Sequence, residues 1–459
     1  MFGGRTAKNI GVAIGLLAGA GSLSGAAYAA DLGGDCCADL EERIAELEAT
    51  TARKGNRKVT LEIYGQVNEE VLWWDDGFES NASVYTNDNS RSRVGFRGKA
   101  KITDDVSAGY RLEIGIRSQN SKRFNQNDPG ADFSGTGGVS ENGLDLRDSF
   151  WFLNSKTYGQ VSVGLQAAAT DQITEINQTQ TADFSKYSDI EDTGGGLFLR
   201  ATNGALSTLQ WRRLIGEGGD QPGEGERRFN LVKYASPEWK GFTASASWGQ
   251  DDYGDVALRY KGDWSGFLIA AGVGYAQITD GAQTKTTAGS RNLIDAKQWG
   301  GSVSVVHAES GLFVQGGAGQ KQDDGLFDSA TWANVTPDDE DWFWSIQAGI
   351  EKKWNSLGKT TVYGQYYDYE GGSLDRKFAS TDPLPFSNRA IYTTAVQQYG
   401  FGVAQGIDAA AMTLYLTYSH VSPEATIGDV GGTPKVGATF SDVALEDYDF
   451  VTAGGLIRF

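Results

Sequence analysis

Polar and apolar residues alternate one by one along much of this chain, and this alternation constrains the fold more than any other feature. In residues 91–102 the even positions from Val94 onward are apolar or glycine, and the odd positions are basic apart from Gly95. Successive side chains of a β-strand point to opposite faces, whereas a helix would mix these two sets. The segment therefore predicts a strand with one charged face and one apolar face.

Neighbouring segments show the same period of two. Residues 106–116 place apolar side chains at even positions, and residues 60–74 alternate apolar with polar side chains in the same manner. A sheet with one apolar and one wet face is typical of a transmembrane β-barrel, in which only the outer surface meets lipid. The basic residues expected on the wet face are Arg91, Arg93, Arg97, Lys99, Arg111, Arg117 and Arg147.

The first 29 residues have the pattern of a secretory signal peptide. Arg5 and Lys8 precede an apolar run, and Ala27-Tyr28-Ala29 offers small residues at the positions that a signal peptidase reads. Cleavage after Ala29 would change the net charge from −19 to −21, because Arg5 and Lys8 are lost. Such an acidic chain is unsuited to binding nucleic acid, whose phosphates it would repel.

Residues 30–58 are predicted to form a periplasmic linker. Within it, Leu40, Ile44 and Leu47 repeat with a 4–3 spacing among charged residues, which indicates a short amphipathic helix over residues 39–53. Two heptads are marginal alone, so the helix either lies on a surface or coils with copies of itself in other chains.

Strand-like segments recur from residue 59 to the end, separated alternately by short turns and long polar loops. This rhythm is the topology of an outer-membrane barrel, with tight periplasmic turns and long external loops. Direct counting gives 17 strand-like segments, including residues 205–214. A barrel whose two chain termini both lie on the periplasmic side of the membrane needs an even number of strands. Adding residues 197–202 gives 18 strands, and merging a doubtful pair gives 16. Either number leaves a water-filled interior.

The last residues predict the strand that closes the barrel. A terminal apolar strand would leave a sticky edge in a soluble protein, but a closed barrel has no edge. The spacing of four residues also resembles the C-terminal signal that outer-membrane barrels present to their insertion machinery. These residues are Thr452, Gly454, Ile457 and Phe459.

Metal and cofactor sites are not indicated. The only cysteines, Cys36 and Cys37, are adjacent, and the only histidines, His307 and His420, lie in separate strand-like segments, so a zinc enzyme is not expected. The loop 321–341 is acidic enough to bind Ca²⁺ loosely, although its spacing fits a solvated charge run better. Its carboxylates are Asp323, Asp324, Asp328, Asp338, Asp339, Glu340 and Asp341.

Three blocks of sequence resemble the alphaproteobacterial general porins, which are trimeric outer-membrane channels. They are residues 61–68, residues 92–98 and, most diagnostic, residues 147–166. The resemblance covers residues 59–459 and implies an all-β, antiparallel barrel of 16 strands. It also implies a homotrimer in the outer membrane, surrounded by lipid and lipopolysaccharide, through which ions and small hydrophilic solutes diffuse passively.

By this resemblance, the loop at 167–200 folds into the barrel and constricts it. The loop is acidic, whereas the strand wall opposite is rich in arginine, and this arrangement would create a transverse field across the pore. The acidic residues expected at the constriction are Asp171, Glu175, Asp183, Asp189, Glu191 and Asp192.

Two other functions remain open from the sequence. A sugar-specific channel would need an aromatic track, but Tyr363, Tyr366, Tyr367 and Tyr369 fall on both faces of one strand. A secreted β-rich adhesin or glycan hydrolase would be soluble without detergent. No motif for nucleophilic catalysis or phosphate binding is present, so an enzyme is not expected.

Overall fold

A computed structural model describes most of the chain from residue 58 onward. The described residues are 58–128, 143–216, 221–225, 228–249, 252–281, 294–323, 339–372, 378–387, 389–429 and 440–459. The chain divides into two compact units, Met1–Leu61 and Glu62–Phe459. The predicted signal peptide, the predicted helix at 39–53 and nearly all of the linker lie outside the described residues.

The second unit consists almost entirely of antiparallel strands. Those found in the described residues are β1 Glu62–Asp75, β2 Ser80–Thr86, β3 Arg93–Lys101, β4 Val106–Arg117, β5 Gly143–Ser155, β6 Gly159–Ala167, β7 Phe198–Arg200, β8 Leu206–Gln210, β9 Arg228–Ala235, β10 Phe242–Gly249, β11 Gly254–Trp264, β12 Phe267–Gly281, β13 Ile294–His307, β14 Leu312–Asp323, β15 Glu340–Lys352, β16 Thr360–Gly372, β17 Arg389–Ile407, β18 Met412–Asp429, β19 Phe440–Val443 and β20 Tyr448–Arg458. Short 3₁₀ turns lie at Asp88–Ser90, Gln180–Asp183, Ile190–Asp192, Trp211–Leu214 and Asp408–Ala410. None of the helical segments in the described residues is long and apolar enough to cross a membrane.

The strands form a closed antiparallel barrel with 16 strand positions. Each position pairs with the next one along the chain, and β20 closes the barrel by pairing with both β18 and β1. Two of the positions are each occupied by two separate strands. β2 and β3 pair with successive halves of β1, and β19 and β20 pair with successive parts of β18. The prediction of 16 strands is therefore confirmed.

The alternative count of 18 is wrong for an identifiable reason. The segments 197–202 and 205–214, interpreted from the sequence as wall strands, contain β7 and β8, which pair only with each other. They form a small hairpin within the connection between β6 and β9. This connection runs over 168–227, so the long loop continues well past the predicted end at residue 200.

The two faces of the wall differ as the alternation predicts. Val67, Val94 and Val303 lie on the outer face, whereas the side chains beside them in sequence point inward. Large apolar side chains are exposed on this outer face in strand after strand, for example Val273, Val314 and Ile346. An apolar exterior around a polar interior is the arrangement that a barrel needs in lipid.

Aromatic residues mark the barrel's ends. Tyr158, Trp239, Trp264 and Trp354 are exposed in or beside the short turns, as expected for side chains at a headgroup boundary. Trp74 is different: it points inward and is buried against Phe124. Trp74 therefore does not belong to the exposed aromatic residues, because its neighbour Trp73, and not Trp74, lies on the outer face of β1.

Candidate functional site: the barrel interior and its loop

The described residues of the connection 168–227, which are 168–216 and 221–225, lie inside the barrel. Their hydrogen bonds reach inward-facing side chains on widely separated strands: Asp255 on β11, Ser302 on β13 and Gln347 on β15. On the far side of the barrel, the Asn68 amide of β1 donates to the carbonyl of Asp183 at 2.9 Å. A segment that touches the inner faces of all these strands can only cross the interior.

Polar residues on the inner wall hold the first part of this loop. The backbone N–H of Ile176 donates to Ser302 Oγ at 2.9 Å, and that hydroxyl donates to the carbonyl of Ile173 at 2.6 Å. The Thr181 hydroxyl donates to Gln347 at 2.7 Å. Because every one of these groups would otherwise face an incomplete hydration shell, the contacts fix the course of the loop along β13 to β15.

Inward-facing glycines allow the loop to approach the wall closely. A Cβ at Gly272 would lie 2.7 Å from Ile173 Cδ1, and a Cβ at Gly274 would lie 2.6 Å from Thr170 Cγ2. At Gly300 it would lie 2.6 Å from the carbonyl oxygen of Gly223. The sequence shows a glycine-rich chain, but only the fold shows that these glycines make room for the loop.

The second part of the loop builds an apolar core inside the barrel. Leu197, Leu199 and Trp211 from the loop are fully buried against inward-facing residues of β1 and β15 to β20. The ring of Trp211 lies 6.2 Å from that of Tyr448 and 6.4 Å from that of Phe450. This core fills the interior beside β15 to β20 at the long-loop end, so the open passage is confined to the opposite side.

Two of the arginines that the sequence predicted line the open side with exposed side chains. Arg97 and Arg111 face inward from paired positions of β3 and β4, yet both are substantially exposed to water. Both guanidinium groups lie near the ring of Tyr64, at 4.9 Å and 5.6 Å from its centroid. Side chains that point into the barrel and still contact water mark the course of a water-filled passage.

These arginines are interleaved with carboxylates. Glu113 Oε1 accepts from Arg147 at 2.8 Å and lies 3.8 Å from Arg93, and Glu113 Oε2 accepts from Arg111 at 2.7 Å. Arg97 forms an ion pair with Glu62. Closer to the long-loop end of the barrel, Arg91 forms an ion pair with Asp145. Arg117 forms ion pairs with Asp88 and Asp145. The wall is thus a network of alternating charge and not a row of isolated cations.

A β-bulge shapes this network. The pairing between β4 and β5 shifts between Glu113 and Ile114, so Asp148 pairs with Glu113 and Leu146 pairs with Ile114. Arg147 is the extra residue, and both Arg147 and Asp148 are buried on the inner side. A bulge re-aims side chains in this way, and strict alternation in the sequence cannot reveal it. Asp148 was therefore missed, although it lies 2.9 Å from Arg111 and 3.5 Å from Arg228.

The acidic residues of the loop are mostly not placed opposite the arginines. Glu175 and Asp189 are buried around Lys186, at 2.8 Å and 3.1 Å from its Nζ. Glu191 and Asp192 are buried beside Lys122. These four carboxylates are absorbed into the packing of the loop, because a charge removed from water needs a partner.

Two of the predicted acidic residues approach the wall. Asp171 lies 3.9 Å from Arg228, and Asp183 forms an ion pair with Arg458 on β20. The structure thus corrects the picture of an acidic loop facing a basic wall: most of the carboxylates that face the arginines belong to the wall itself. Lys99, the remaining predicted basic residue, is exposed on β3 near the short-turn end.

Two carboxyl groups have pKa values that are shifted in opposite directions: Glu175 of the loop, and Asp88 of the 3₁₀ turn between β2 and β3. Burial raises the pKa of Glu175 well above its usual range, and the negative charge of Asp189 adds to this effect while Lys186 opposes it. Burial also disfavours the charged form of Asp88, but Arg117, Lys122 and Arg91 outweigh it and lower the pKa of Asp88. Asp88 therefore stays charged beside the arginines.

The residues of the predicted insertion signal complete the barrel. Phe459 exchanges backbone hydrogen bonds with Gly65 at 2.9 Å and 3.1 Å, and its ring covers that glycine. Ile457 points outward, whereas the buried Thr452 bonds Thr417 across the strands. Gly454 leaves space for the ring of Tyr415. Closure of the barrel by this strand is confirmed.

No metal site was found within the described ranges, where no group of three or more His, Cys, Asp or Glu residues is suitably arranged. Much of the acidic loop lies outside those ranges, including Asp324, Asp328 and Asp338. Of the others, Asp341 is buried and accepts a hydrogen bond from Tyr369 at 2.9 Å. Ca²⁺ binding by this loop stays a prediction.

A closed barrel of 16 strands with an apolar exterior, a water-reached interior and an inward-folded loop is the architecture of an outer-membrane channel. The family model described as Gram-negative porin matches residues 13–426, and the chain belongs to this family. It lies in the outer membrane and forms a channel for the passive diffusion of ions and small hydrophilic solutes.

Solved structures of other proteins match this chain over most of its length. OprB of Pseudomonas putida matches with a TM-score of 0.52 at 10% identity, over 92% of this chain and 97% of that one. OmpT of Vibrio cholerae matches with a TM-score of 0.49 at 12% identity, over 88% and 99% of the two chains. OmpF of Salmonella typhi, solved with daunomycin, gives 0.48 at 13% identity, over 88% and 98%. A search of curated proteins found no match.

Proposed function

We propose that the chain acts as a general-diffusion porin, a homotrimer in which each barrel has its own pore. The narrowest part of each pore would lie between the loop 168–227 and the arginines of β3 to β5. The observation that carries this proposal is the water exposure of Arg97 and Arg111 on the inner wall, on the side that the apolar core leaves open. No catalytic step is proposed.

Polar groups on the lipid-facing surface support the trimer. Glu69 alternates with the outward-facing Val67 and Val71, and its carboxylate accepts hydrogen bonds from Ser92 and Ser118. A carboxylate on the lipid face of a barrel is destabilising. A second copy of the chain covering this surface would remove Glu69 from lipid.

A second polar group lies two strands away on the same outer surface. His420 of β18 contacts Asp449 of β20 at 2.9 Å, and the Tyr418 hydroxyl donates to the same carboxylate at 2.7 Å. Since β20 is the strand between β18 and β1, this group and Glu69 belong to one region around the closure of the barrel. We propose that this region faces the neighbouring subunit.

The remaining partners follow from the location. Lipid and lipopolysaccharide would surround the rest of the apolar exterior, and the barrel-insertion machinery would recognise the strand that ends at Phe459. We also assign the chain to the alphaproteobacterial branch of the family, on the blocks at 61–68, 92–98 and 147–166 alone.

No observation favours a sugar-specific channel. Tyr363, Tyr367 and Tyr369 point inward but are buried, and Tyr366 lies outside against Trp344. These four residues therefore offer no exposed aromatic track to a sugar in the passage.

Two measurements test the proposal. The mass of the detergent-solubilised protein, without heating, is expected to correspond to three chains. The variant Glu69→Leu removes the carboxylate and leaves an apolar side chain in its place, and it is expected to alter the stability of the trimer. Vesicles containing the protein are expected to admit neutral hydrophilic solutes with rates that fall with solute size. A monomeric mass would contradict the trimer, and one small solute entering far faster than others of its size would contradict general diffusion.

A further inference from the structure

The middle layer of the wall presents its cations to the passage and hides its anions. Glu113 and Asp148 have side chains that are only 1% and 5% exposed. Around them, the side chains of Arg93, Arg228 and Arg111 are 23%, 25% and 39% exposed. The carboxylates thus lie behind the guanidinium groups, and a solute in the passage meets hydrogen-bond donors.

These guanidinium groups retain capacity to bind a solute. Arg93 lies 3.8 Å from Glu113, and Arg228 lies 3.5 Å from Asp148 and 3.9 Å from Asp171. These separations are longer than hydrogen bonds. Arg93 donates one hydrogen bond, from Nη2 to Ser90 Oγ at 2.9 Å, which leaves the other N–H donors of its guanidinium group for a solute. The planar guanidinium fork matches the geometry of carboxylate and phosphate oxygens, which favours oxyanions over chloride.

Basic residues also extend the layer in both directions. Arg91 and Arg117 lie toward the long-loop end, and Arg97 and Lys99 lie toward the short-turn end. The carboxylate nearest to Arg117, that of Asp88, is buried. The carboxylates paired with Arg91 and Arg97, those of Asp145 and Glu62, are 43% and 57% exposed, so the excess of exposed cations is confined to the middle layer.

The formal net charge of the whole chain is −19, which by itself would favour cations over anions. Charges more than about 10 Å from a permeating ion are largely screened at 0.1 M salt. The groups beside the passage therefore decide selectivity, and the acidic residues elsewhere contribute little.

We propose that the layer formed by Arg93, Arg111 and Arg228 is a binding site for small oxyanions, carboxylates and phosphate, and that it makes the channel anion-selective. The site deepens the proposed function: it presupposes a passage along the arginine wall and names the class of solute that this passage favours.

The reversal potential across a bilayer with a tenfold KCl gradient tests the selectivity. The wild-type channel is expected to pass chloride in preference to potassium. The double variant Arg93→Gln and Arg228→Gln is expected to lower the chloride-to-potassium permeability ratio by about tenfold for each charge. A unit charge about 6 Å away in water changes the permeability of each ion by about threefold, in opposite directions for chloride and potassium. Glu113 keeps Arg111 and Arg147 in this variant, so the wall retains its central pairs.

Lys240→Gln is the matched control. Lys240 lies in the turn between β9 and β10, over the exposed ring of Trp239, so its loss removes a cation far from the passage. This variant is expected to keep the wild-type reversal potential. Heat-dependent migration on a gel checks that each variant forms a folded barrel.

Inhibition of the chloride current tests the binding site. Millimolar succinate or inorganic phosphate is expected to reduce the chloride conductance of the wild type and of Lys240→Gln, and to have little effect on the double variant. A wild-type channel that prefers potassium, or a double variant with unchanged selectivity and block, would overturn the proposal. A folded barrel that passes no ions would instead overturn the proposed function.

Discussion

Filling the space at Gly300 tests the idea that the loop is held against β13 and thereby sets the width of the passage. In Gly300→Val the new Cβ would lie 2.6 Å from the carbonyl oxygen of Gly223 and 2.7 Å from Thr174 Cγ2. Reaching even a tight contact of 3.0 Å requires the Gly223 backbone to shift by 0.4 Å, and the two methyl groups of valine extend further. We expect an overpacking cost of about 1–3 kcal/mol, although valine suits a strand well.

The shift has a direction, because the wall lies on one side of the loop and the passage on the other. Gly300→Val is therefore expected to lower the single-channel conductance and the thermal stability together. Gly364→Val is the control, since Gly364 faces outward on β16 and its nearest neighbour would be 3.8 Å from a Cβ. A Gly300→Val channel with unchanged conductance and stability would refute the placement of the loop.

Three further predictions concern charge and closure. Glu113→Gln leaves Arg93, Arg111 and Arg147 without their shared partner, so it is expected to destabilise the barrel by about 3–5 kcal/mol, measured by denaturant unfolding in detergent; an unchanged midpoint would contradict the network. The raised pKa of Glu175 means that the folded state favours the protonated carboxyl group, so folding stability should fall as the pH rises above 4.5, the ordinary pKa of a glutamate. Glu175→Gln should flatten this pH dependence in melting curves recorded across pH. An identical slope in the variant would contradict the role of Glu175. Removing the Phe459 ring uncovers Gly65 but keeps the backbone hydrogen bonds between residues 459 and 65. Phe459→Ala should therefore slow assembly into heat-modifiable barrels through loss of the ring alone, and wild-type assembly kinetics would contradict that role.

The wall could be predicted from the sequence because its physics is local. A strand facing lipid on one side and water on the other must alternate, and residues 91–102 show this without reference to any other part of the chain. The closing strand could also be recognised, because its apolar ending makes sense only where no edge is left exposed.

The loop could not be delimited in the same way. Residues 206–210 have the strand-like pattern of the wall, and only the pairing with residues 198–200 shows that they belong to a hairpin inside the barrel. Local alternation carries no information about which partner a strand will find. The sequence therefore predicts an end of the loop at residue 200, whereas the connection continues to residue 227, and it leaves both 16 and 18 strands open.

The charges of the site were predicted on the wall and misplaced on the loop. Parity correctly put Arg97 and Arg111 on the inner face, but it could not show that Lys186 and Lys122 would neutralise the loop's own carboxylates. Those pairs connect residues whose proximity depends on the folded course of the loop. The bulge at Arg147 is equally invisible, because one extra residue changes the register without changing the composition.

Single-channel recording of the refolded protein in a planar bilayer is the most direct test of the central claim, that a water-filled passage runs through this barrel beside the inward-folded loop. We expect large, ohmic conductance steps that occur in groups of three, as three pores insert together. Properly inserted, heat-modifiable barrels that produce no conductance steps would contradict the account.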